Sequence, residues 1–293
     1  MKIVIADPME PEVVAEIGKL GTVVNKPSDL KIALSDADVL IVRSATKVTE
    51  ELLQFAPKLR IVGRAGVGLD NVDRVACEKR NIQVINTPDA STQSVAELTI
   101  TMILCMLRNV AKGHFQMKNK IWDKKNLTGR EIAGKTLGII GLGRIGHAVS
   151  EKALALGMKV QYYSRHKDPE AKANYVSLDE LLSTSDIISL HLSSSPETKE
   201  MMNFGLIGKM KDGAYLVNLA RGDLVNEDAL YSALTSGKLA GAALDVYSSE
   251  PYSGKLLELD NVVFTPHLGA STKEAQERIG IQLVERLRAL MLM

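Results

Sequence analysis

The run Thr136-Leu137-Gly138-Ile139-Ile140-Gly141-Leu142-Gly143-Arg144-Ile145-Gly146-His147 decides the fold. Its apolar opening, Thr136–Ile140, reads as a strand, and His147–Leu156 behind it carries a helical pattern. A second apolar run, Met158–Tyr163, completes a βαβ unit. In that setting the three glycines have separate tasks. Gly141 permits the tight turn, Gly143 lets the backbone approach a pyrophosphate, and Gly146 lets the helix pack closely on the strand. The helix N-terminus adds free N–H groups and partial positive charge for an anion. A G-x-G-x-x-G alone is a weak signal, because glycine turns are common. The flanking strand, helix and second strand make this one a dinucleotide site.

The second strand of such a unit normally ends in Asp or Glu, about 20 residues after the fingerprint begins, to bond the ribose 2′-OH. Here it runs Tyr163-Ser164-Arg165-His166-Lys167. Loss of the carboxylate removes repulsion against a 2′-phosphate, and the Arg165 guanidinium can fork onto one. Ser164 and Arg165 therefore point towards NADP, with NAD as the alternative. A solvated basic loop tip is the plainer reading of the same residues.

A length of 293 residues suggests two domains, each with its own core. The net charge of +1, from 36 basic and 35 acidic residues, leaves no footprint for nucleic acid or a membrane. Cys77 and Cys105 lie in apolar helical contexts without metal-ligand spacing, so neither a disulfide framework nor a metal site is expected. The N-terminal apolar stretch Ile3–Ala6 is too short for a secretion signal. Leu98–Leu107, interrupted by two threonines, is too short to span a bilayer. A soluble cytoplasmic enzyme is the expectation.

Strand-like and helix-like runs alternate from end to end, the signature of parallel α/β architecture. The first part offers strands at Lys2–Ala6, Val39–Val42, Arg60–Gly63 and Gln83–Ile85, with helices at Pro11–Leu20 and Glu50–Phe55. The second offers Thr136–Ile140, Lys159–Tyr163, Ile187–Leu190, Tyr215–Leu219, Ala242–Asp245 and Val262–Thr265. These near-continuous apolar strands predict burial on both faces. Between the halves, Ser94–Arg108 is apolar all round and is expected to lie between domains or subunits. A last helix, Lys273–Met293, capped by Ser271 or Thr272, is expected to cross back onto the first domain.

Three later segments put polar residues at the C-terminal ends of strands, where open α/β sheets bind ligands. They are Asn218-Leu219-Ala220-Arg221-Gly222, Asp245 through Pro251, and Thr265 through Thr272. Singly, each has a bland explanation as a surface charge, a turn residue or a structural histidine. Together they fit oxidation of a 2-hydroxy acid, which needs a base, a cation for the carboxylate and a hydride acceptor. His267 titrates nearest neutrality and is the natural base. Glu250 can hold its tautomer and stabilise the imidazolium, while Arg221 can clamp the carboxylate and C2 oxygen. Upstream, Gly63-Arg64-Ala65-Gly66-Val67-Gly68 follows a strand and can offer backbone N–H groups to the same carboxylate.

These segments resemble the D-2-hydroxyacid dehydrogenase family over nearly the whole chain, and within it the phosphoglycerate dehydrogenases. The resemblance rests on Leu40 through Thr49, Val62 through Asp73, the 141–146 fingerprint, the Arg221 segment and the run Pro266 through Gln276. It implies two Rossmann-like or flavodoxin-like domains with parallel sheets and a cleft between them. Residues 1–91 with 271–293 would form a discontinuous substrate domain, and 92–270 the dinucleotide domain. The implied catalytic set is Arg221, Glu250 and His267. The candidate cofactor contacts are Gly141, Gly143, Arg144, Ile145, Gly146, Ser164, Arg165, His191, Ala220, Asp245 and Gly269, with Asp245 at the nicotinamide carboxamide. Arg43, Arg64, Val67, Gly68 and Arg221 would meet the substrate, a small 2-hydroxy or 2-keto acid. Arg43 and Arg64 add charge suited to a phosphate, and 3-phosphoglycerate and 3-phosphohydroxypyruvate are the implied pair, in serine biosynthesis. A homodimer through the cofactor domain is also implied. Lys124 or Lys125 after Trp122 would reach in from the partner, or else form an exposed basic loop.

Two departures stand out: Ser164 replaces the ribose-binding acid, and Ser193 replaces a proline after Leu190-His191-Leu192. Because the chain ends soon after the last helix, no appended regulatory domain is expected. Two other readings remain. One is an NADPH-dependent glyoxylate or hydroxypyruvate reductase, supported by Ser164 and Arg165. The other is a dinucleotide-sensing corepressor-like protein, disfavoured by the short flanks.

Overall fold

The computed structural model describes residues 1–291. The chain divides into two compact units, Met1–Ser91 joined by the segment from Ala270 onward, and Thr92–Gly269. Both are built on entirely parallel sheets.

The first unit contains β1 (Lys2–Ile5), β2 (Thr22–Asn25), β3 (Val39–Val42), β4 (Ile61–Arg64) and β5 (Gln83–Asn86), in the order β2-β1-β3-β4-β5. This is the flavodoxin-like order. β3 reads Val-Leu-Ile-Val because every residue is buried, with the two faces of the sheet covered by separate cores. One core gathers Leu40 and Val42 with Leu34, Leu53 and Cys77. The other gathers Val39 and Ile41 with Ile17, Ile279, Leu283 and Leu287. The terminal helix Lys273–Met291 thus completes the first unit, and Thr272 Oγ1 caps it by accepting the Ala275 N–H at 3.2 Å. Its Gly280 sits so close to the helix Pro11–Gly18 that a Cβ would lie 2.2 Å from Val13. The last two positions of the predicted helix, Leu292 and Met293, lie outside the described residues.

The second unit contains β6 (Thr136–Ile140), β7 (Lys159–Tyr163), β8 (Asn174–Tyr175), β9 (Ile187–Leu190), β10 (Ala214–Asn218), β11 (Leu239–Leu244) and β12 (Val262–Phe264). Their order is β12-β11-β10-β9-β6-β7-β8. The chain winds outward from β6 in one direction and then, from β9, in the other. That reversal is the Rossmann switch point, and it leaves a crevice at the carboxyl ends of β6 and β9. The helix Thr92–Leu107 is largely buried. It packs inside its own unit, where Val95, Ile103 and Met106 join the core shared with the helix Arg144–Ala155. The neighbouring helix and the sheet cover its apolar residues, while Gln93, Glu97 and Thr101, four positions apart, form an exposed polar stripe, so the helix is not apolar all round.

Because all strands run one way, every loop leaving a strand emerges at one edge of its sheet. The candidate residues at 43, 64–68, 141–146, 164–165, 191, 220–221, 245 and 267 all lie at or just beyond strand ends. Among the described residues no single helix is long and apolar enough to cross a membrane, and no cluster of metal-ligating side chains is present.

Candidate functional site

At the switch point the three fingerprint glycines differ sharply in their surroundings. Gly141 has φ +97°, and a Cβ there would lie 2.6 Å from the His191 carbonyl oxygen. A Cβ on Gly146 would lie 2.4 Å from the Gly141 carbonyl oxygen. These two glycines serve the protein's own packing. A Cβ on Gly143 would meet nothing within 4 Å. Gly143 is the N-cap of the helix Arg144–Ala155 and provides no side-chain cap. The backbone there is bare towards solvent at the positive end of a 12-residue helix. That open cradle fits a dinucleotide pyrophosphate, which the N–H groups of Arg144 and Ile145 would hold. The helix begins at Arg144 rather than the predicted His147, so the fingerprint itself forms its first turn.

At the end of β7 the Ser164 hydroxyl donates to the His166 carbonyl, and Arg165, His166 and Lys167 are exposed. This loop has an anchor that the sequence reading missed. Asp168 accepts from the Glu170 N–H at 2.9 Å and pairs with His147 Nε2 at 2.8 Å. Its own N–H donates to the buried Tyr162 hydroxyl at 2.8 Å. The Glu170 N–H and then His147 hold the Asp168 carboxyl below its ordinary range. A carboxylate does follow Ser164 by four positions, but it is bonded to the protein. The positive charge of Arg165 also reaches Glu197, whose carboxyl is lowered chiefly by Ser195. After β9, burial pushes His191 down to about 4, and its Nε2 lies 2.9 Å from the Ser189 hydroxyl.

The proposed catalytic residues occupy three loops of the same edge. His267 Nδ1 lies 2.8 Å from one Glu250 oxygen and 3.1 Å from the other, and both side chains are partly exposed. His267 has φ +56°, a left-handed backbone that costs a non-glycine residue energy and needs external support. Asp245 supplies it. The carboxylate, fully buried, accepts from Thr265 Oγ1 at 2.5 Å, Leu268 N at 2.7 Å and Gly269 N at 2.8 Å. Asp245 thus brackets His267 on both sides, and these bonds engage the carboxylate that the sequence placed at a carboxamide. Burial pushes its carboxyl up against the pull of these donors. The Gly269 carbonyl is tied in turn by Ser94 Oγ at 2.6 Å.

Arg221 stands in a turn pinned by buried Asn218, whose amide accepts from Ala220 N at 3.0 Å and donates to the Arg221 carbonyl at 2.8 Å. Nη1 of Arg221 donates to the Ala220 carbonyl at 2.6 Å. A Cβ on Gly222 would sit 1.8 Å from the Tyr247 carbonyl oxygen, so the Arg221 turn presses directly on the segment leading to Glu250. That segment is steadied by Glu227, which accepts from Ser248 N and the Tyr252 hydroxyl, each at 3.1 Å. Asn218 and Glu227 carried no sequence signal of this role.

In the first unit Arg43 is half-buried and donates through Nη1 to the Pro8 carbonyl at 3.1 Å. The Arg64 guanidinium lies where a Gly66 Cβ would stand, 1.6 Å from its Nη1, so only glycine leaves it that space. The loop beyond is held by Asn86 Nδ2 on the Val67 carbonyl at 2.6 Å, with Gly68 half-buried beside it. Lys124 and Lys125 are exposed, and Trp122 before them is 80% exposed.

A parallel unit with a bare glycine cradle and a paired histidine and glutamate at the same edge suits a bound dinucleotide and a proton transfer. The family model of the D-isomer specific 2-hydroxyacid dehydrogenase NAD binding domain matches residues 100–269. A hydroxypyruvate reductase of Thermotoga maritima is 47% identical over 264 residues, covering 88% of this chain and 86% of that protein. A D-3-phosphoglycerate dehydrogenase of Methanocaldococcus jannaschii is 43% identical, covering 98% of this chain, which spans 57% of that relative's length. In structure, a D-lactate dehydrogenase from Aquifex aeolicus, complexed with NAD and lactic acid, superimposes with a TM-score of 0.90 at 35% identity. That match covers 99% of this chain and 95% of the other. The chain belongs to the D-isomer specific 2-hydroxyacid dehydrogenase family, and its second unit is that family's NAD-binding domain.

Proposed function

We propose that this protein interconverts a D-2-hydroxy acid and its 2-keto acid, with 3-phosphoglycerate and 3-phosphohydroxypyruvate as the pair. The observation that carries the reaction is the 2.8 Å bond between His267 Nδ1 and Glu250, which leaves Nε2 for substrate. A dinucleotide bound through its pyrophosphate at the Gly143 cradle would supply the hydride acceptor for C2 in oxidation and the donor in reduction. His267 Nε2 accepts the hydroxyl proton in oxidation and gives it back to the C2 oxygen in reduction. Glu250 fixes the tautomer and stabilises the imidazolium, and Arg221 orients the carboxylate.

Arg43 and Arg64 support a substrate with a second anionic group, since a phosphate dianion calls for more positive charge than a plain hydroxy acid. A second reading, reduction of hydroxypyruvate or glyoxylate with NADPH, is favoured by Ser164 with exposed Arg165 and by the Thermotoga relative. On the cofactor we favour NADP, because the Asp168 carboxylate is engaged by His147 rather than offered to a ribose. We further propose a homodimer through the second unit, supported by Phe115 and Trp122, 67% and 80% exposed on one stretch of chain. The test is a matrix of initial rates, NADH and NADPH against phosphohydroxypyruvate, hydroxypyruvate and glyoxylate. Highest kcat/KM on phosphohydroxypyruvate supports the first reading, and a preference for the unphosphorylated acids replaces it with the second.

A further inference from the structure

We propose that Asp7 and Asn71 are positioning residues: together they clamp the Arg43–Thr46 turn, and substrate affinity depends on that clamp. The turn leaves β3 at the carboxyl edge of the first sheet. Asp7 follows β1, the neighbouring strand, and is only 4% exposed. One of its carboxylate oxygens accepts from Arg43 N at 2.6 Å and Thr46 N at 3.2 Å. The other accepts from Thr46 Oγ1 at 2.6 Å. Asn71, in the loop after β4, uses its amide nitrogen on the complementary groups. It donates to the Arg43 carbonyl at 2.7 Å and the Thr46 carbonyl at 2.6 Å.

Two side chains from two other loops therefore capture both N–H groups and both carbonyls of the residues that bound the turn. The division of labour is chemical: an ionised carboxylate can only accept, while an amide nitrogen brings two donors. Asp7 and Asn71 cannot exchange tasks. Burying a carboxylate is costly unless it is fully bonded, yet Ser44 and Ala45 at the tip of this turn are exposed and pack no core. The group thus secured is Arg43, held twice by consecutive residues, through its N–H by Asp7 and through Nη1 by the Pro8 carbonyl. Fixing the backbone and guanidinium beforehand removes ordering that binding would otherwise require.

This inference rests on the reading that Arg43 meets the substrate. The experiment measures KM and kcat for phosphohydroxypyruvate, and KM for the reduced cofactor, in Arg43→Ala, Asp7→Asn, Asn71→Ala and the Asn71→Ala/Arg43→Ala double variant. Thermal melts of each accompany the kinetics. Asn71→Ala should raise the keto-acid KM about tenfold, with cofactor KM and kcat changed less than twofold. In the Arg43→Ala background the same substitution should add less than twofold, because the clamp acts through Arg43. Should Asp7→Asn fail to fold, Asn71→Ala with its cycle is decisive alone. If Arg43→Ala raises KM while Asn71→Ala leaves it unchanged, or if the two effects multiply fully, the clamp is overturned. If Arg43→Ala leaves KM unchanged, the substrate reading falls and the clamp falls with it.

Discussion

Gly143→Ala separates ligand space from packing space. Its φ of −87° suits alanine, and a Cβ would meet nothing within 4 Å, so the fold should accept the methyl. Alanine is a poorer N-cap than glycine, at a cost of about 1 kcal/mol or less, and loss of glycine's freedom in the unfolded chain offsets about half of that or more. The Tm should move by no more than about 4 °C. Gly146→Ala, whose Cβ would lie 2.4 Å from the Gly141 carbonyl, should cost about 1–3 kcal/mol by overpacking and melt clearly lower. Binding should rank differently. A methyl at position 143 keeps a pyrophosphate from reaching the N–H groups of the helix start. Losing one charge-assisted hydrogen bond, about 1.5–3 kcal/mol, weakens the cofactor Kd about 10–100-fold. Fluorescence titration with NADH and NADPH reads the Kd, and calorimetry reads the Tm. A Gly143→Ala protein that binds both cofactors as tightly as the parent would refute the cradle.

The remaining expectations concern cofactor choice, substrate charge and acid stability. Ser164→Asp with Arg165→Ile should convert a preference for NADPH into one for NADH, read as kcat/KM for each cofactor in both proteins. A parent that already strongly prefers NADH contradicts the loop reading. Arg64→Ala should damage use of phosphohydroxypyruvate more than hydroxypyruvate, by about tenfold to a hundredfold in kcat/KM, and equal damage would favour the reductase reading. His191 is held down to about 4 from 6.5, so it stays neutral in the folded protein while the unfolded chain takes up a proton. Stability is then lost as pH falls from 6.5 towards 4, about 2 kcal/mol by pH 5. His191→Gln should show a visibly smaller fall in Tm between pH 7 and 5, and parallel falls would show that His191 is not the group responsible.

What could be read from the sequence divides along physical lines. β6 and β9 were legible to the residue because strands buried on both faces leave near-unbroken apolar runs, and β7 because buried Val160 and Tyr162 alternate with exposed Lys159 and half-buried Gln161. β2 and β8 were missed. Both lie at sheet edges, and Asn174 and Tyr175 are exposed, so neither imposes an apolar pattern. The helix at 144 was placed late because glycines at 141, 143 and 146 look like loop. The pairing of His267 with Glu250 followed from chemistry alone, since polar residues at parallel strand ends are few and their roles complementary. Asp7, Asn71, Asp168 and Glu227 were silent, because each works by bonding a loop rather than by fitting a period. Asp7 and the Arg43 N–H it holds are 36 positions apart, and no periodicity links them.

In the proposed reaction His267, oriented by Glu250, moves the proton of a 2-hydroxy acid. Turnover of His267→Ala on the best substrate from the rate matrix, measured beside its cofactor Kd, tests this most directly. We expect kcat to fall about 10²–10⁴-fold while the cofactor Kd stays within twofold of the parent. Turnover close to the parent's would rule out His267 as the base and require another residue to carry the proton.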